Sequence, residues 1–316
     1  MFDLAHPGTL APALPSLYTP DAEARRRTVE FFTAHIRNAN TRKAYARAGA
    51  DFSRWCGRHG IPDVRSVEPV HVAANIEQLS LAPQTVKQRL AALRALFDWL
   101  VVGQVLPVNP AASVRGPRHS VKVGKTPVLS AQEVRDLIAA IETDTIIGLR
   151  DRAIIGVMVY TFARVGALTR MQLEDVYVQR RRLWVRLHEK GGKLHDMPCH
   201  HNLEDWLHDY IDGADLAGAT GILFRSAKGP TATLSDRPVS QADVYRMIGR
   251  RANAAGIQTR IGCHSFRATG ITEYLRSGGK LEIAQQMANH ESARTTGLYD
   301  RRGDQIKLDE VERIAI

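Results

Sequence analysis

Residues 111–128 read AASVRGPRHSVKVGKTPV, with Arg115, Arg118, Lys122 and Lys125, no acidic residue, and glycine and proline interrupting any regular period. Such a stretch has no apolar face to bury, so it reads as a basic linker over 113–127 that obliges the chain to fold as two bodies. A length of 316 residues leaves each side enough chain for a core of its own. The expected organisation is a flexible tail over 1–22, a helical domain over 23–112, the linker, and a second domain over 128–316.

On the N-terminal side, NTRKAYARAGADFSRWCGRHG repeats apolar residues at helical spacing in Tyr45, Ala48, Phe52 and Trp55, and sets Arg42, Lys43, Arg47 and Arg54 mostly elsewhere on the wheel. PQTVKQRLAALRALFDWLV repeats the pattern: Val86, Leu90, Leu93, Phe97 and Leu100 form a buried stripe, leaving Lys87, Arg89 and Arg94 for solvent or a polyanion. The whole chain carries a net charge of +10 and a pI near 9.8, which draws it to phosphate backbones over long distances. Nucleic acid is the partner this favours, with an anionic membrane surface as the alternative.

The most apolar run, LAALRALFDWLVVGQVL, is broken by Arg94 and Asp98 before it reaches the roughly 18 residues a bilayer span needs. The first twenty residues contain no Lys or Arg and four prolines, unlike a secretion signal or transit peptide. Cys56, Cys199 and Cys263 are too few and too scattered for a disulfide framework, which points to a reducing cytoplasm.

Beyond the linker, Ser130 and Glu133 form a capping box that opens a helix. LRDRAIIGVMVYTFARVGAL is helical, and alternation then predicts strands near 176–178, 183–188 and 194–197, joined by the QRRR tip and a glycine-rich turn. Helices resume at HNLEDWLHDYI and SQADVYRMIGRRANAAG, with three short ones from 264 onward. The second domain is therefore expected to be mostly helical with one small antiparallel sheet.

Two places in this domain invite chemistry. In CHSFRATG, His264 and Arg267 are three apart on a helix and share a face, where imidazole and guanidinium could grip one anion. In TFARVGAL, Arg164 stands among apolar neighbours and must find a partner or reach solvent. Taken singly, each is by default structural. Their order is more specific: a buried-looking arginine, a lysine on a hairpin turn, H-x-x-R on a helix, then His290 and Tyr299 nine apart in NHESARTTGLY. In TFARVGAL, EKGGKLHDMP, HSFRATG and NHESARTTGLY, from about residue 25 to about 310, the sequence resembles the tyrosine recombinase (phage integrase) family.

The resemblance implies a mainly α, two-domain DNA clamp: a helical core-binding domain that begins with TRKAYARAGADFSRWC, and a catalytic domain. It implies a site-specific recombinase that works on double-stranded DNA as a homotetramer, without cofactor or metal, in integration or excision of a mobile element. Carried over by position, Tyr299 is the nucleophile, Arg164 and Arg267 the phosphate clamp, Lys190 the turn lysine, and His264 and His290 complete the set. Two guanidiniums stabilise the charge that grows on a five-coordinate phosphorus, His264 accepts the phenol's proton, and Lys190 protonates the departing 5′ oxygen. The 3′-phosphotyrosyl link so formed stores the energy of the broken bond. The basic residues expected on DNA are Arg42, Lys43, Arg47, Lys87, Arg89, Arg94, Arg115, Lys122 and Lys125.

The chain departs from the family pattern T-G-x-R-x-x-E-L at Phe162 and at Ala167, which stands where a supporting Glu is usual. Asn289 replaces the glycine that customarily precedes the last histidine, and EKGGK offers Lys193 as an alternative to Lys190, which is preferred because it falls at the family's G-K-G lysine. His188, His195, Cys199, His200, His201 and His208 are crowded but lack the paired spacing of a zinc frame. The final DQIKLDEVERIAI reads as an assembly element or a helix that caps its own domain. A type IB topoisomerase and an inactive DNA-binding relative are the competing readings.

Overall fold

The computed structural model describes residues 14–118, 124–229 and 233–300, with only the backbone of Lys190. Lys122 and the segment DQIKLDEVERIAI lie outside the described residues. The chain divides into two compact units, residues 1–120 and 121–316.

The first unit is helical: α1 (Ala22–Glu30), α2 (Ala39–Arg58), α3 (Pro69–Glu77) and α4 (Pro83–Val102). Asn38 caps α2 by accepting from the backbone N–H of Asn40 and Thr41, while α3 and α4 begin with Pro69 and Pro83, whose missing N–H costs nothing there. Ala48 is buried, and Phe52 and Trp55 share one core with Val86, Leu90, Leu93, Phe97, Leu100, Phe31 and Ile76. Two indoles are tied by their N–H groups, Trp55 to Gln78 Oε1 (2.7 Å) and Trp99 to the carbonyl of Arg27 (2.8 Å).

The second unit starts with α5 (Ala131–Ala139), capped by Ser130 and Glu133 in the reciprocal box. The apolar α6 (Ile146–Tyr160) runs through its middle and is followed by the short α7 (Val165–Leu168). β1 (Val176–Gln179), β2 (Arg182–His188) and β3 (Leu194–Pro198) form an antiparallel meander, with Val176 opposite Val185 and Leu187 opposite His195. Then come α8 (His201–Gly213), α9 (Gln241–Ala254), α10 (Cys263–Arg276), α11 (Leu281–Met287) and α12 (Ala293–Gly297). Between α8 and α9 lies a second two-stranded sheet, β4 (Arg225–Ala227) with β5 (Leu234–Pro238), so the expectation of a single sheet is corrected. Asp151, fully buried, accepts from Arg150 (2.8 Å) and Arg251 (2.9 Å), and Arg150 also donates to the carbonyl of Arg225, pinning that hairpin to α6. Among the described residues no helix is long and apolar enough to cross a membrane.

α10 crosses α6 closely because Gly270 has no side chain: a Cβ there would lie 2.2 Å from the carbonyl oxygen of Val159 and 2.7 Å from the Phe162 ring. Gly270→Ala gains about 1 kcal/mol of helix propensity but meets backbone and forces α6 and α10 apart, at a cost of about 3 kcal/mol. Its thermal unfolding midpoint is expected to fall by several degrees, and an unchanged or raised midpoint contradicts this packing.

Candidate active site

α10 carries the buried cation around which the site is arranged. Arg267 is 2% exposed, and its Nη1 and Nη2 donate to the carbonyls of Phe162 and Ala288, more than a hundred and about twenty residues away respectively. Burial lowers its pKa to about 10 and the nearby Arg164 guanidinium adds to the effect, while Glu189 and Tyr299 act in the opposite sense. It therefore stays charged at neutral pH. His264, one turn earlier on the same face, lies at the rim.

Phe162 presents its carbonyl to Arg267 from a left-handed backbone (φ 55°), where the family pattern has glycine. A bulky residue pays for that conformation; here its ring is buried with Ile271, Leu275, Ala284 and Ala288 and meets Tyr274 edge-on, which offsets the strain. Two residues on, Arg164 caps the start of α7 and donates from Nη1 to Glu189 Oε2 at 2.6 Å. The Glu189 carboxyl is 3% exposed and the Arg164 side chain 36%, so the acid grips the guanidinium from inside.

Glu189 directly follows β2, and its N–H bonds to the carbonyl of Lys193 (2.8 Å), closing a turn that begins at Lys190. Gly191 and Gly192 follow with φ of 81° and 77°, a path that suits residues without a Cβ. The side chain of Lys190 is outside the described residues. Lys193 makes an exposed ion pair with Glu291 (3.0 Å).

On the third side, α11 ends at a left-handed Asn289 (φ 45°), a conformation asparagine tolerates as glycine does. His290 follows, its Nδ1 2.9 Å from the Oγ1 of the fully buried Thr296, its ring parallel to that of Tyr299 with centroids 6.0 Å apart. Tyr299 is held by its backbone: Thr272 Oγ1 donates to its carbonyl (3.0 Å), and its own N–H donates to Thr296. Its hydroxyl makes no hydrogen bond among the described residues. Burial, then Arg267, then Arg164 lower the pKa of both histidines, that of His290 to about 4. The result is two guanidiniums, two neutral imidazoles, a phenol and one buried carboxylate in mutual electrostatic reach.

Glu189 was absent from the sequence-based set. The signal was there: Leu183, Val185 and Leu187 face inward at every second position, and the same parity puts residue 189 inside.

Of the basic residues expected on DNA, Lys43, Arg47, Lys87, Arg115 and Lys125 are exposed. Arg42, Arg89 and Arg94 are half-buried, and their guanidiniums are engaged within the first unit. Arg42 donates to the carbonyl of Ile36 (3.2 and 3.0 Å), Arg89 pairs with Asp51 (2.5 Å), and Arg94 donates to the carbonyls of Ala111 and Val114. In the histidine-rich region, His188 bonds Asp175, His195 bonds the carbonyl of Met287, and His200 stacks on Tyr160. Among the described residues no three His, Cys, Asp or Glu side chains gather to hold a metal ion.

The phage integrase family profile matches residues 127–305. Tyrosine recombinase XerC of Serratia marcescens is 27% identical over 295 residues, 92% of each chain. XerD of Pseudomonas aeruginosa is 29% identical over 267 residues, 82% of this chain and 86% of its own. Two solved structures share the fold: XerH recombinase bound to difH before cleavage (TM-score 0.68, 15% identity, 96% and 97% covered), and a lambda integrase tetramer on a Holliday junction (0.67, 18%, 90% and 79%).

A histidine in an unfolded chain titrates near 6.5, while folded His290 does so at about 4. Between those values the unfolded state binds the extra proton, so stability is full above pH ~6.5 and declines as pH falls toward 4. The His290 ring signal in NMR is expected to titrate near pH 4, and His290→Gln to flatten the loss of stability over that window. A midpoint near 6.5 contradicts the buried, cation-flanked setting.

Proposed function

The chain belongs to the phage integrase family of tyrosine recombinases, and from that premise we propose that it cuts and rejoins duplex DNA at a specific site through a 3′-phosphotyrosyl link to Tyr299. The observation that carries this reading is the convergence of Arg164, Arg267, His264, His290 and Tyr299, far apart in sequence, into one electrostatic neighbourhood.

The Tyr299 oxygen attacks the scissile phosphorus and the bond to the 5′ oxygen breaks. As negative charge builds on the non-bridging oxygens, the outward edge of Arg164 and the remaining N–H groups of Arg267 stabilise it. Arg267 already spends one N–H of each Nη on a backbone carbonyl, which fixes the direction of the others. His264 is held neutral and can accept the phenolic proton. In the tautomer whose Nδ1 accepts from the Thr296 hydroxyl, His290 has an Nε2–H to donate to the phosphate. Lys190, next to Glu189 on the hairpin turn, gives its proton to the leaving 5′ oxygen. The 5′-hydroxyl of a second strand then reverses the step and releases Tyr299.

In this reading the helical first unit is the core-binding domain, with Lys43, Arg47 and Lys87 on phosphates, and four protomers act on two sites. The lambda integrase tetramer on a Holliday junction supports the assembly by analogy. The departures at Phe162, Ala167 and Asn289 and a fold shared with a Tn1549 transposon integrase bound to a circular-intermediate DNA support integration or excision of a mobile element. A Xer-type role is the second reading, favoured by the match along 92% of XerC. The length of that match also weighs against a topoisomerase.

The test uses a site selected from random duplexes by binding, nicked just beyond the scissile phosphate so that cleavage is trapped. Wild type is expected to form a protein–DNA adduct stable to denaturant, and Tyr299→Phe none while binding the duplex equally well. An adduct with Tyr299→Phe, or none with wild type, contradicts the assignment.

A further inference from the structure

Arg164 needs a partner that α7 does not provide. The residue one turn along from it is Ala167, 1% exposed and without a polar atom. A guanidinium anchored only by its own stem would sample several rotamers, and a clamp that works by direction would lose its aim.

The partner comes from the other side of the site. Glu189 continues the inward parity of β2, so its carboxyl is carried into the interior beside Leu187 and Val185 rather than out to water. A carboxylate 3% exposed is costly unless paired, and among the described residues its side chain has a single hydrogen-bond partner, Arg164 Nη1 at 2.6 Å. The contact is end-on and leaves Nε and Nη2 of Arg164 without a partner among the described residues. That is the arrangement required of a brace: one corner of the guanidinium held from within, the other edge facing outward. Glu189 is itself fixed at the main chain by its N–H bond to Lys193, so Arg164 is aimed by the hairpin and not by its own helix. The carboxylate also acts on Arg267, opposing the effects of burial and of Arg164 there.

We propose that Glu189 is a positioning residue for strand cleavage: from the β2–β3 hairpin it orients Arg164 toward the scissile phosphate, the bracing that Ala167 cannot provide from α7. The proposal rests on the cleavage chemistry described above. It makes a prediction that a merely structural buried acid does not, because a brace matters only as far as the arginine it holds matters.

Glu189→Gln keeps the size and an acceptor oxygen but removes the charge. It is compared with wild type, Arg164→Ala and the double variant on the nicked duplex, made with either an ordinary scissile phosphate or a methylphosphonate. The methylphosphonate lacks the non-bridging charge that the arginine serves. Glu189→Gln is expected to cleave the phosphate about ten- to a hundredfold more slowly, with affinity for the duplex changed less than about threefold. The defect is expected to shrink to less than about threefold on the methylphosphonate, and to add nothing to Arg164→Ala. Cleavage at the wild-type rate, an equal defect on both substrates, or losses that multiply with Arg164→Ala each overturn the proposal. If Glu189→Gln does not fold, Glu189→Asp, charged but too short to span 2.6 Å contact unmoved, takes its place with the same expected pattern. Absence of any adduct with wild type on the phosphate refutes the cleavage reading, whereas an adduct indifferent to residue 189 refutes only this one.

Discussion

Everything at the site hangs on the buried guanidinium of Arg267. By donating to the carbonyls of Phe162 and Ala288 it clamps two chain reversals, and each reversal delivers a functional side chain two residues later, Arg164 from one and His290 from the other. A cation 2% exposed would be prohibitively costly without such acceptors. With them it fixes three distant segments to one another while keeping part of its donor capacity.

The electrostatics follow from that placement. Burial, and after it the two guanidiniums, push both imidazoles toward the neutral form, as the proposed proton acceptor and hydrogen-bond donor require. The same cations face the negative charge that the proposed attack of Tyr299 would create on the phosphate. Glu189 tempers the excess of positive charge from the hairpin that also bears Lys190. Gly270 lets α10 lie close enough to α6 for Arg267 to reach Phe162 at all.

Much of this was legible in the sequence, because helical and strand periods are local. The stripe from Val86 to Leu100, the Ser130–Glu133 box and the three strands of the meander follow directly from spacing. The β4–β5 hairpin was not legible: RSA and LSDRP are short and polar, and β4 is anchored by Arg150 of another element. Arg89 and Arg94 fall on the polar side of their wheel, yet a wheel carries no information about Asp51 or the carbonyls at 111 and 114 that capture them. The motif residues at the site were found through a resemblance in order and spacing. Glu189 lay outside that pattern and became evident only when the hairpin brought it to Arg164. The left-handed backbone at Phe162 was hidden for a related reason, since a phenylalanine does not advertise a positive φ.

The central claim is that one phenol is delivered to a phosphorus held by two guanidiniums. Proteolysis and mass spectrometry of the trapped protein–DNA adduct test it most directly, together with chemical typing of the freed DNA end. The account predicts a nucleotide 3′-phosphate on the peptide that contains Tyr299 and a 5′-hydroxyl on the released strand. A nucleotide carried by any other residue, or a 5′-phosphate linkage, would contradict it.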